Sequence, residues 1–190
     1  MGRIILGKRS ISLVAIFLFL GLALIGSSNM ALAKSAREID ISVDVALDEF
    51  AKDVKGGREF LKSAKGILVF PSVIKAGIGI GGEYGEGALR IGGKTVDYYN
   101  TAAASIGFQL GAQSKRVIIV FMENEALKKF RASQGWEAGV DGSVALVEMG
   151  TGGSIDTNNI KDPIVGFVFG NKGLMYNLTV EGSKFTKIVR

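Results

Sequence analysis

The chain has 190 residues, 27 of them glycine, with 23 basic and 18 acidic side chains for a formal net charge of +5. It contains neither cysteine nor histidine. That excludes disulfides, a lipid-modified N-terminal cysteine, Ser-His-Asp and Cys-His nucleophiles, histidine general bases and His/Cys zinc sites.

Residues 1–33 have the layout of an export signal. Arg3, Lys8 and Arg9 form a basic start, Ile11–Ile25 a 15-residue apolar run, and Ala31-Leu32-Ala33 a small-residue cleavage site. A retained membrane anchor is the alternative, but spanning takes about 20 apolar residues and this run gives way to Ser27-Ser28-Asn29. Cleavage after Ala33 makes Lys34 the mature N-terminus and leaves 157 residues with 20 basic against 18 acidic side chains, or +2. That length suits one domain with a real core, and so small a charge gives no ground for nucleic-acid binding. The expected location is exported, periplasmic or envelope-associated.

Ser42 to Val54 carries Val43, Ala46, Leu47, Phe50 and Val54 at the spacing of an amphipathic helix, with Asp40 or Ser42 as N-cap. Gly56-Gly57 weakens or ends it. Arg58–Lys65 then predicts a shorter helical turn with Phe60, Leu61 and Ala64 inward and Gly66 as the residue just past its end.

From Ile67 the pattern changes to strands. Ala64–Gly93 holds nine glycines, and in Gly77-Ile78-Gly79-Ile80-Gly81 they alternate with isoleucine, so that one strand face is bare and open to close backbone approach. Valine at Gly79 or Gly81 is therefore expected to destabilise. Three turns read as hairpins: Gly92-Gly93 between Tyr84–Ile91 and Lys94–Tyr99, Asp141-Gly142 between Trp136–Val140 and Ser143–Met149, and Asn171-Lys172-Gly173 between Ile164–Gly170 and Leu174–Val180. Glu181-Gly182-Ser183 turns the chain into a last strand, Lys184–Val189. Val117–Met122 reads as a strand covered on both faces, and Asn124 to Ala132 as the helix of the second half, with Leu127 and Phe130 inward. The sum is an α+β domain: N-terminal amphipathic helices, then nine or ten short, mostly antiparallel strands in a glycine-rich barrel-like or two-layer sheet.

Gly77-x-Gly79-x-x-Gly82 matches the dinucleotide fingerprint in letters only, because the residues after Gly82 head into a hairpin rather than the helix that pyrophosphate binding needs. Glu83, Glu86, Asp97, Asp141 and Glu148 are carboxylates that could pair for catalysis, but Asp141 suits its turn and Glu83 and Glu86 suit exposed strand positions. No catalytic set can be named, and no cofactor or metal is expected. Tyr84, Tyr98, Tyr99 and Trp136 suit either core packing or a sugar- or lipid-facing surface. Lys52, Lys55, Arg58, Lys62 and Lys65 fall within roughly a 140° arc of a continuous helix, beside Phe50, Val54, Leu61 and Ala64. A basic face beside an apolar one suits a membrane surface, but on the residues alone it suits better the solvated side of a core-packing helix, and Asp53 and Glu59 dilute it.

The blocks AKGILVFPSVIKAG (Ala64–Gly77), SIGFQLGAQSKRVIIVFM (Ser105–Met122), WEAGVDGSVAL (Trp136–Leu146) and VFGNKGLMYNLTVEG (Val168–Gly182) resemble the SYLF domain family, in order and over nearly the whole mature chain. The resemblance implies a lipid-binding and actin-regulating type of module with exported bacterial relatives. It implies an anionic-lipid surface on the basic N-terminal segment, with Lys65 and Lys75 inside the first shared block. Actin is not an expected partner for an exported protein. The functional expectation is a non-enzymatic module that meets anionic membrane lipids at the envelope. The alternative is a periplasmic carrier or structural envelope protein taking a small apolar ligand in its barrel.

Overall fold

The computed structural model describes residues 33–148, 155, 160–173, 180 and 182–190, excluding the side chains at 78, 79, 105–111, 148 and 173. Lys34–Arg190 forms one compact unit. The export-signal segment and the expected strand Leu174–Val180 therefore lie outside the described residues, Ala33 and Val180 excepted.

The chain opens with helix α1 (Ala36–Asp53). It starts six residues before the predicted Ser42, because Ser35 and Glu38 cap it reciprocally. The Ser35 hydroxyl accepts from the Glu38 amide, and the Glu38 carboxylate accepts from the Ser35 amide at 2.7 Å. Val43, Ala46, Phe50 and the following Val54 are buried as the spacing predicts, joined by Ile39. Gly56, at φ 82°, breaks the helix in the left-handed region, and a short helix α2 (Gly57–Ser63) follows with Phe60 inward. Gly66 is not the residue that ends α2. Ala64 does so in extended conformation, and Gly66 opens the first strand with Leu127 packed over it.

Strands β1 (Gly66–Ile91) and β2 (Lys94–Phe121) form one long antiparallel ribbon, joined at Gly92-Gly93 with φ of 57° and 80°. The expected two-residue hairpin is there, since two successive positive φ values suit glycine. The ribbon is bent, so each long strand serves twice. The first part of β2 pairs with β6 (Lys184–Ile188), and the last part pairs with β5 (Ile164–Gly173). β3 (Trp136–Glu137) extends the sheet beyond β6, and β4 (Ala145–Glu148) lies parallel beside β5. Among the described residues, six continuous strands thus make a strongly curled half-barrel of eight strand passes, mostly antiparallel. Nine or ten short strands are predicted because glycines that bend a strand look in sequence like glycines that end one.

The bend itself lies at Gly77–Gly81. Between Ile78 and Ile80 the register slips, three residues of β1 standing against the five of Ile106–Leu110 in β2. A Cβ on Gly77 would lie 2.4 Å from the Gly81 Cα. The expected close approach of a second backbone occurs farther along. A Cβ on Gly87 would lie 2.0 Å from the Val69 carbonyl oxygen, and one on Gly85 2.7 Å from that of Ser72. The two halves of β1 press on each other, with glycine where they meet. Pro71 sits in the other main irregularity, between Phe70 and Val73, where the missing amide costs no ladder bond.

Two further turns differ from expectation. Asp141-Gly142 is no hairpin: Gly139 carries the positive φ, Glu137 donates its amide to the Asp141 carboxylate at 2.7 Å, and the flanking strands pair with β6 and β5 instead of each other. Asn171-Lys172-Gly173 continues β5 past a left-handed Gly170 and pairs with Gln113 and Ser114. Gly182, at φ 74°, does make the last turn.

The sheet is covered on both faces. Leu68, Phe70, Leu89, Ile119 and Phe121 face a cluster completed by Leu127 and Phe130 of α3 (Asn124–Ala132), Trp136 and Phe185. Val69, Ala88, Ile118, Val120 and Phe167 face the opposite way, against Ile39, Val43, Phe50 and Phe60 of α1 and α2. Val117 to Phe121 alternates between the two clusters, as expected of a strand covered on both sides.

Candidate functional site

The elbow between α1 and α2 is held from below by phenylalanines. Phe50 and Phe60 both pack on Phe167, with ring centroids 5.0 and 5.4 Å apart. Gly57 packs tightly under the elbow, since a Cβ there would lie 3.1 Å from the Phe50 ring. Lys65 donates its amide to the Phe121 carbonyl at 2.8 Å, fixing the exit from α2. The basic side chains point the other way. Lys52, Lys55, Arg58, Lys62 and Lys65 are all exposed, and none forms an ion pair among the described residues.

Two parts of the sequence reading are corrected here. No continuous helical arc carries the five cations, because Gly56 breaks it; they ring an elbow. The apolar stripe beside them is not open either, for Phe50 and Val54 are buried against the sheet. What stands open next to Lys62 is a groove of about 290 Å³ lined by Leu47, Leu61, Ala64 and Ile67, with Arg90 and Asp44 also contributing. Arg90 is committed, at 2.8 Å from the Asp44 carboxylate and 3.7 Å from that of Asp40. Asp40 in turn accepts from the Thr95 hydroxyl at 2.7 Å and the Tyr98 hydroxyl at 3.0 Å. Burial, and then the Asp40 carboxylate, raise the Tyr98 phenol above its ordinary range. These bonds stake α1 to the β1–β2 turn and set the groove's shape. The sequence reading missed Arg90, Asp40 and Asp44 as a group because only the fold brings α1 to that turn.

Lys75 lies elsewhere. It is buried, 3.3 Å from Glu83, and the same carboxylate lies 2.8 Å from the buried Lys115. Lys75 is therefore not part of a surface patch, and Glu83 is not the exposed strand residue expected. Eight extended residues would separate Lys75 and Glu83 by about 26 Å, so their contact measures how far β1 folds back. Glu86 is also buried, holding the Arg190 guanidinium at 2.5 Å and the Tyr84 hydroxyl at 2.8 Å. Asp97 is engaged by Lys187 and Arg131. Each of these carboxylates answers a cation or a backbone amide, and the Glu148 side chain lies outside the described residues.

The aromatic candidates divide. Trp136 and Tyr99 are core, and burial followed by the Asp97 charge pushes the Tyr99 phenol up to about 12. Tyr84 is half exposed. Gly77-x-Gly79-x-x-Gly82 runs through a strand with no helix after it, so the phosphate-binding geometry is not formed.

The structure is thus a curled half-barrel whose interior is packed with aromatic side chains and which carries an exposed basic elbow. Residues 102–188, just under half of the chain, match the Ysc84 family, described as Las17-binding protein actin regulator. The SYLF resemblance read from the sequence is thus matched independently from Ala102, within β2, through α3 and the strands that follow. No curated protein gives a significant match to the chain.

Proposed function

We propose that this protein is a non-enzymatic, exported module that binds anionic phospholipid surfaces through the elbow between α1 and α2. The observation that carries this reading is the set Lys52, Lys55, Arg58, Lys62 and Lys65, exposed and without ion pairs among the described residues, beside an apolar groove. Each basic residue near an anionic bilayer contributes on the order of 1 kcal/mol, so five give at most about 5, before Asp53 and Glu59 subtract their share. Binding is then peripheral and reversible. The family description supports a regulatory binding role in place of catalysis. Its actin connection would need a partner that an exported chain does not meet. The carrier alternative has less support, because Phe70, Phe121, Phe130, Trp136 and Phe185 fill the sheet's interior.

Vesicle sedimentation tests the proposal. Wild type is expected to pellet with acidic-lipid vesicles and not with purely zwitterionic ones, and to be released as the Debye length falls from about 10 Å at 0.1 M salt to about 3 Å at 1 M. Reversing Lys55, Arg58 and Lys62 to Glu abolishes pelleting with the circular dichroism unchanged. Binding that survives the triple reversal, or that persists at high salt, overturns the electrostatic mechanism.

A further inference from the structure

Glu86 is a buried carboxylate on β1 whose partners come from both ends of the folded unit. One oxygen takes the Arg190 guanidinium at 2.5 Å and the Tyr84 hydroxyl at 2.8 Å. The other oxygen accepts from the backbone nitrogen of Lys34 at 3.3 Å. Lys34 is the first residue after the Ala31-Leu32-Ala33 site, and the compact unit begins at Lys34. Its neighbours on both sides, Ala33 and Ser35, are exposed. The capping box at Ser35 and Glu38 meanwhile fixes where the Lys34 nitrogen sits.

We propose that hydrolysis of the Ala33–Lys34 bond installs an α-ammonium on Glu86, so that processing itself completes an ion pair that ties the new N-terminus and the C-terminal Arg190 to β1. Breaking the one C–N bond, water supplies the oxygen of the Ala33 carboxylate, and both its protons go to the departing Lys34 nitrogen, which leaves as –NH3+. Before the cut, Lys34 offers a neutral amide donor at 3.3 Å. After it, an ammonium with three donors and a full charge stands at the same oxygen, so the Coulomb attraction of a full ion pair is added to the hydrogen bond. Glu86 holds one other cation, so the second does not displace it.

The inference rests on the export reading, and two measurements keep their failures apart. Protein recovered from the exporting cell is expected to begin at Lys34 by mass spectrometry; a different first residue overturns the inference along with the cleavage site. Selective acetylation of the α-amine at mildly acidic pH is then expected to lower the thermal midpoint by about 2–4 °C. In Glu86→Gln the same acetylation should change nothing. If that variant does not fold, the pH dependence of the wild-type difference decides.

The amine sits against Glu86, whose other oxygen holds Tyr84 and Arg190, and the adjoining Ser35 amide donates to Glu38 of α1. An α-amine ordinarily titrates near about 7.7–8.0, and pairing favours its charged form. The gap between free and acetylated protein should therefore be complete below that range and close as pH rises above it. Tyr84, held above its ordinary value by burial and by Glu86, stays protonated across that window. A protein that begins at Lys34 yet melts identically with and without the acetyl group at pH 6 overturns the ion pair and leaves cleavage standing.

Discussion

At the scale of single residues, the fold depends on glycines at points of backbone contact and tolerates change where none occurs. Gly87 faces the Val69 carbonyl at a distance no side chain can share, so Gly87→Ala forces the two halves of β1 apart. Overpacking of this kind costs about 1–3 kcal/mol. Gly82 is the natural control: its nearest neighbour would be 3.7 Å from an added Cβ, and Ala there only restricts the unfolded chain. Urea denaturation is expected to lower the midpoint for Gly87→Ala and to hold or raise it for Gly82→Ala. The sequence marked this region as glycine-dependent but centred the requirement on Gly79 and Gly81. Gly79 lies outside the described side chains, and the tight contacts fall at Gly77, Gly85 and Gly87.

At the scale of elements, α1 shows why a helix can be legible in its middle and lost at its start. Its core face repeats every three or four residues from Val43 onward. Its first two turns put a single residue, Ile39, fully inside and leave Ile41 exposed. The signal for the true start was Ser35-x-x-Glu38, a capping pattern rather than an apolar period. Ser35→Ala removes the acceptor for the Glu38 amide and should lower stability by about 1 kcal/mol, read from denaturant midpoints. The Glu38 carboxyl is held below its usual range by the Ser35 amide and hydroxyl, with a smaller effect from Lys34. A depressed carboxyl stabilises the fold above its unfolded value and loses that contribution as pH falls through the folded one. The difference between wild type and Ser35→Ala should therefore shrink in acid.

At the scale of the whole molecule, the fold-back of β1 brings charge inside. Lys75, Glu83 and Lys115 meet at the bend, one carboxylate between two ammonium groups, all nearly excluded from water. Removing one member of a buried ionic group typically costs about 3–5 kcal/mol, because the remaining charges lose their compensation without regaining solvent. Glu83→Ala is expected to fall in that range, and far above Asp53→Ala on the exposed elbow, when both are measured by urea denaturation. Equal midpoints for the two variants would mean that the cluster does not hold the bend closed.

The sequence by itself determined what depends on near neighbours. The inward face of α1, the glycine break at Gly56, the turn at Gly92-Gly93, the doubly covered strand through Val117–Phe121 and the helix Asn124–Ala132 all follow from spacings of a few residues. So did the SYLF resemblance, which rests on ordered blocks. Tertiary structure alone decided which partner each strand takes, as at Asp141-Gly142, where local turn chemistry suits a hairpin and the flanking residues pair with β5 and β6 instead. It also decided which charges stay in water. Lys65 and Lys75 stand in the same block with the same chemistry, yet one is exposed and the other sealed against Glu83. Period and composition tell which face of an element is apolar, while burial of a charge depends on what lies across from it. In this chain that is set by a bend bringing residues eight apart in sequence to within 3.3 Å.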